Sequence, residues 1–143
     1  MFLQATEYTH SSYKWNENPT LHELDKHENE LSSIVIKECK ILEYIYKTDN
    51  ILYLYKTVHK IVKVNTDQAI EMFNKVFVPM NARTEFVVLQ ARAISPDGKI
   101  TNINKENIKE VENVNSWGNF KIFAIEGIEK GGEIEYFYTT KAP

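Results

Sequence analysis

The chain has 143 residues, a length that fits one domain with a real core, since folding at about this size removes roughly 70% of the unfolded surface from water. With 17 Lys plus Arg against 20 Asp plus Glu, the formal charge of -3 offers no long-range attraction to phosphate backbones, so nucleic acid is not an expected partner. The single cysteine, Cys39, excludes an internal disulfide, and no run approaches the ~18 apolar residues needed to cross a bilayer, so membrane insertion is not expected either.

The start, MFLQATEYTHSSYKW, has neither the basic region nor the apolar run of a signal peptide. Residues 1–32 are polar, with Pro19 as a breaker and sparse apolar anchors at Trp15, Leu21, Leu24 and Leu31. They read as an irregular lead-in holding one short helix around Leu21 to Glu30. From Ile34 the pattern changes. Aromatic residues make up 12% of the chain, and Val and Ile crowd into short runs, the composition of pleated, half-buried surfaces. IVIKECKILEYIYK and ILYLYKTVHKIVKV, joined through Thr48-Asp49-Asn50, predict a long hairpin. In its second arm Leu52, Leu54, Val58, Val62 and Val64 fall on one face, while Tyr53, Tyr55, His59 and Ile61 fall on the other. Apolar residues on both faces predict a sheet packed on a second layer, with its outer face partly covered.

Two readings compete for the next segment. Ile70, Met72, Asn74, Val76 and Val78 alternate as in a strand that Pro79 ends. Thr66 as an N-cap, with Ile70, Phe73 and Phe77 at helical spacing, gives a helix instead. TEFVVLQARAI and KITNI flank Ser95-Pro96-Asp97-Gly98, which predicts a type I turn with Gly98 in the left-handed conformation. NFKIFAI and GEIEYFYTT flank EGIEKGG and predict a further hairpin, with Gly131-Gly132 as its turn. Between these pairs the asparagine-rich NKENIKEVENVNSWG allows one helical turn.

Candidate chemistry is sparse. HELDKH resembles the zinc-protease helix, but His22 and His27 are five residues apart and diverge by about 140° on a helix, so a solvated acidic segment is the better reading. Cys39 sits in a strand pattern, where a small apolar side chain fits and a catalytic thiol would still need a nearby histidine. His59 reads as a half-exposed histidine bonded to a neighbour, because the sequence places no carboxylate beside it. Asp97 lacks the companion ligands of a calcium loop and reads as a turn residue. No catalytic residue, metal or cofactor is expected. The tyrosines remain: Tyr44, Tyr46, Tyr53, Tyr55, Tyr136 and Tyr138 all sit in strand arms, and Tyr53, Tyr55, Tyr136 and Tyr138 with Trp117 are the leading candidates for a flat platform that binds a glycan or peptide, against the ordinary alternative that strand aromatics fill the core.

YKTVHKIVKVNTDQAIEMFNKVFVPM, EFVVLQARAISPDGKITNI and FKIFAIEGIEKGGEIEYFYTT together resemble the bacterial domain of unknown function found N-terminal to transglutaminase-like domains in envelope proteins. The resemblance covers about Ser33 to Thr140 and rests on ordered features. These are the His59-Lys60 strand, a strand ending in Pro79, the A-R-x-I-x-P-D-G-K hairpin and the F-x-x-x-G-I-E-x-G-x-x-I-E-Y-x-Y ending. It implies a mainly β, antiparallel sandwich-like domain over residues 33–143 with little helix, and a strand for residues 70–78. It also implies a periplasmic or cell-surface location and a longer protein, in which a transglutaminase-like (papain-like cysteine) domain follows as a partner in cis. The catalytic cysteine, histidine and aspartate of that neighbour have no matching positions here, so the expected role is non-catalytic packing or substrate presentation. The alternatives are a tyrosine-lined carbohydrate or peptide module, and a part of a protease- or transglutaminase-like enzyme whose catalytic residues lie outside this chain.

Overall fold

Two antiparallel sheets carry the fold, and the computed structural model describes residues 8–112 and 118–143. The larger sheet sets five strands side by side in the order β1 (Ser33–Tyr46), β2 (Leu52–Val64), β8 (Gly132–Ala142), β4 (Glu85–Ile94) and β5 (Ile100–Asn102). The smaller sheet orders three strands as β3 (Lys75–Met80), β7 (Asn119–Ala124) and β6 (Lys109–Val111). Among the described residues the sheets do not close into a barrel, and no helix is long and apolar enough to cross a membrane.

Strand alternation decides which side chains meet. Val58, Val62 and Val64 of β2, Leu89, Ala91 and Ala93 of β4, and Ile134 and Tyr138 of β8 share one face of the larger sheet. They form a single buried cluster with Val76, Val78 and Phe123 of the smaller sheet. Phe123 is 0% exposed. Each fully buried Val, Leu, Ile or Phe among them contributes about 1.5–3 kcal/mol by leaving water.

Both tight hairpins use one turn design. In β4–β5 the amide of Gly98 donates to the carbonyl of Ser95 (2.9 Å) and the amide of Ser95 to that of Lys99 (2.9 Å), with Gly98 at φ 88. In β1–β2 the amide of Asn50 donates to the carbonyl of Lys47 (3.0 Å) and the amide of Lys47 to that of Ile51 (3.2 Å), with Asn50 at φ 61. The expected turn with a left-handed closing residue is therefore present at Ser95 to Gly98, and a second copy joins the longest strands.

The opposite face of the larger sheet is covered by the lead-in. Residues 8–30 run across it as a strap with two short helical turns, α1 (Thr9–Ser12) and α2 (Lys26–Asn29). The turn at Thr9–Ser12 was not expected, and the helix expected over Leu21 to Glu30 is a single turn at Lys26–Asn29. Asp25 caps it: its carboxylate accepts from the amide of Glu28 (2.7 Å), whose side chain reaches back to Asp25.

Other expectations change too. Residues 70–78 are not one strand. Thr66 caps a helix, α3 (Asp67–Phe73), by accepting from the amide of Ala69 (3.1 Å), and Ala69 packs into the core. The chain turns at Asn74 and only then enters β3, within which Pro79 sits on the sheet's outer strand, where a missing donor is tolerated. Nor do β7 and β8 form a hairpin. β7 pairs with β3 and β6, whereas β8 pairs with β2 and β4, so EGIEKGG crosses between sheets and Gly131-Gly132 closes a turn that feeds β8. A Cβ on Gly132 would stand 2.5 Å from the carbonyl oxygen of Ile94, which explains glycine there by space. The helical turn expected after Asn104 is a 3-10 turn at Lys105–Asn107.

Candidate functional site

The strap-covered face gathers a cluster of polar groups, because the alternation of β2, β4 and β8 places Thr57, His59, Arg92, Glu133, Glu135 and Thr139 there. All six are buried. Arg92 and Glu135 are direct cross-strand partners of β4 and β8, and their side chains pair: Arg92 Nε donates to Glu135 Oε1 at 2.8 Å and a terminal guanidinium nitrogen joins the same oxygen. His59 Nε2 meets the other oxygen, Oε2, at 2.7 Å. Its Nδ1 lies 2.5 Å from the hydroxyl of Tyr13 in the strap. One arrangement satisfies all of these contacts: Tyr13 donates to Nδ1, and Nε2–H donates to the carboxylate. Burial pushes the Glu135 carboxyl up, but hydrogen bonds from His59 and Arg92 and the guanidinium charge outweigh it, so Glu135 stays below the usual carboxylate range.

Arg92 also pins the strap. Its guanidinium donates to the carbonyl of Asn16 (2.7 Å) and stacks 3.7 Å from the ring of Trp15, which meets Phe137 edge-on at 5.6 Å. A second clasp lies further along, where the carboxylate of Glu133 accepts from the amide of His22 (3.0 Å) and contacts His22 Nδ1 at 2.5 Å. The third is at the start of the strap: Glu43 of β1 accepts from the amides of Thr9 (2.9 Å) and His10 (2.8 Å), and the His10 ring stacks on Tyr55 at 3.8 Å. A cleft of about 310 Å³ remains between strap and sheet, lined by Lys14, Trp15, His22, Lys37, His59 and Glu133 among others.

Two expectations change here. His59 is not half-exposed: it is 3% exposed and has a carboxylate partner that only the fold supplies. HELDKH is not simply solvated, because His22 anchors on the buried Glu133, although His22 itself stays exposed. Cys39 is the cross-strand partner of His59 in β1–β2, the placement a thiol–imidazole pair would use. Both imidazole nitrogens are already engaged, however, so in this arrangement His59 has no lone pair for the thiol. Among the described residues no group of three or more His, Cys, Asp or Glu is placed to hold a metal ion.

The candidate platform is divided between the two faces. Tyr53 and Tyr55 lie on the strap side, where the Tyr53 hydroxyl donates to Asp49 (2.8 Å) beneath Lys141, and Tyr55 is buried between His10 and Lys47. Tyr136 and Tyr138 lie on the core side, stacked on each other at 6.4 Å with Phe123 and Phe86 edge-on to them. Burial pushes the Tyr136 hydroxyl up to about 12 and raises that of Tyr138. These four tyrosines therefore do not share a surface, and Trp117 lies outside the described residues.

Residues 54–143, from within β2 to the end of β8, match the family model of a domain of unknown function with solved structure, DUF3857. The chain belongs to the DUF3857 family. His59, Arg92, Glu133 and Glu135 fall within the matched residues; the strap and β1 precede them. A similar solved structure is that of a "putative protease" from Parabacteroides distasonis ATCC 8503, with a TM-score of 0.64 at 14% identity. The match covers 78% of this chain and 23% of that one, so the chain spans less than a quarter of its neighbour's length, and the likeness is one of fold. No curated protein matches the chain.

Proposed function

We propose that this DUF3857 domain is a non-catalytic accessory domain that packs against, or presents substrate to, a transglutaminase-like (papain-like cysteine) domain of the same polypeptide, outside the cytoplasm. The observation that carries this reading is the closure of the His59 cluster. A general base needs a nitrogen free to meet its substrate, whereas His59 spends Nε2 on Glu135 and Nδ1 on Tyr13. The same groups tie the strap to the sheet, so the buried charges act as fasteners. The length of the structural neighbour, of which this fold matches 23%, supports a domain that works beside more polypeptide. The partner's class and the location rest on the resemblance of the ordered strand motifs.

The test is to assay residues 1–143 alone for amide hydrolysis and acyl transfer. No turnover is expected; turnover that Cys39→Ala abolishes would make the domain an enzyme and end the accessory reading.

A further inference from the structure

We infer that the free end of the β1–β2 hairpin is the face on which a further folded domain of the same polypeptide docks, an inference that rests on the accessory reading. Leu42 and Tyr44 stand opposite Lys56 and Leu54, and Tyr46 opposite Leu52, on the side of the sheet that holds Val58 and the core. Yet they stay in solvent: Leu42 is 54%, Tyr44 65%, Tyr46 72% and Leu52 41% exposed. Single exposed apolar residues are ordinary, but a row of them on adjacent strands marks a contact surface.

Chain connectivity says what contacts it. Tyr44 pairs in register with Leu54, and Leu54 with Ala142, so β8 hands the chain on to Pro143 in the same row as Tyr44. The strap begins at that end as well, because Thr9 and His10 bond Glu43, the neighbour of Tyr44 in β1. A further domain joined to the chain at this end would be tethered beside the apolar row, and a short tether supplies an effective concentration of about millimolar. An interface too weak to form between separate molecules is then enough. The neighbour with the same fold is a chain in which the match is only 23% of the length, a setting that provides such an intramolecular partner.

The row also defines the partner's chemistry. Lys56 lies opposite Leu42 within the row itself, so an apolar face that also carries a carboxylate fits. A second copy paired along β1 fits less well. β1 is the outer strand of its sheet, but Lys37, Glu38, Lys40 and Glu43 are spread along it, the usual guard against edge-to-edge pairing.

Hydrogen exchange over residues 42–54 tests the inference, comparing residues 1–143 with the full gene product. Docking slows exchange in the full product by about tenfold or more, equivalent to ~1.4 kcal/mol. The triple variant Leu42→Ser, Tyr44→Ser, Tyr46→Ser removes that difference and leaves the melting temperature of residues 1–143 unchanged. Equal exchange in the two proteins, or a gene product without a further folded domain, overturns the inference. So does protection that grows with the concentration of residues 1–143 alone, which assigns the face to a second copy. Protection of residues 1–143 by an added oligosaccharide overturns it in favour of a sugar platform. Turnover by residues 1–143 would sink the accessory reading instead, and is read separately from exchange.

Discussion

On one face of the larger sheet Val58, Val62, Leu89 and Ile134 meet Val76, Val78 and Phe123 through apolar side chains. On the other face His59, Arg92 and Glu133 meet the strap through hydrogen bonds and charge, and Glu135 holds His59 and Arg92 in place beneath it. Both layers are buried, but they hold by different physics. Apolar burial has no direction, so its loss scales with the volume removed. A buried polar cluster depends on every member, because deleting one leaves the others desolvated and unpaired. The strap is thus attached by an all-or-nothing set of partners, while the second sheet is attached by area.

The contrast is broken most directly by one substitution on each face. Arg92→Leu leaves the Glu135 carboxylate buried without its guanidinium, and should cost about 3–5 kcal/mol in urea denaturation. Adding Glu135→Leu should recover much of that loss, because the pair is then replaced by apolar volume; His59, left without its acceptor, keeps the recovery incomplete. Phe123→Ala, at a site 0% exposed, should cost a similar 3–5 kcal/mol or so. No second deletion should restore it. A double variant on the polar face no more stable than Arg92→Leu would show that the two faces do not differ in this way.

pH separates the faces more gently. The folded-state carboxyl of Glu135 lies below its ordinary value, held there against burial by His59 and Arg92. Its contribution is therefore fully present above the unfolded carboxylate value of ~4.3 and is lost as pH falls through the folded value. Wild-type stability should decline on that acid limb, and Glu135→Gln should flatten part of the decline. Phe123→Ala should shift the whole profile downward without changing its slope. An identical acid limb in Glu135→Gln would mean that other carboxylates set it.

The same division explains what could be read in advance. Strand alternation and turn chemistry are local, so β1, β2, β4, β8 and the Ser95 to Gly98 turn were legible, as were the apolar faces. The helix α3 was legible only as one of two options, because Thr66 and the apolar spacing of residues 70–78 support both; the strand that the family resemblance favoured holds from Lys75 onward, and the helix holds up to Phe73. The polar cluster was not legible: Tyr13, His59, Arg92 and Glu135 come from the strap and three strands, with separations of 43 to 76 residues between bonded partners. One local signal was available, Glu133 and Glu135 alternating with Ile134 and Tyr136 in the chain's most apolar ending. Two carboxylates on one side of a strand flanked by apolar strands imply either solvent or partners, and only the register of β4 on β8 reveals Arg92.

The smallest effect concerns the turns that frame both faces. Gly98 has φ 88 and nothing within 4 Å of where its Cβ would stand, so replacement there is opposed by backbone conformation alone. Gly98→Ala should cost roughly 1 kcal/mol. Asn50 holds the same place in the β1–β2 turn at φ 61, and asparagine tolerates the left-handed region better than alanine. Gly98→Asn should therefore cost less than Gly98→Ala, and Asn50→Ala should cost more than Asn50→Gly, all measured as shifts in the urea midpoint. If alanine and asparagine at position 98 prove equally costly, the two hairpins do not share one turn energetics, and the Asp97 contacts to Ser95 and Lys99 must hold the β4–β5 turn instead.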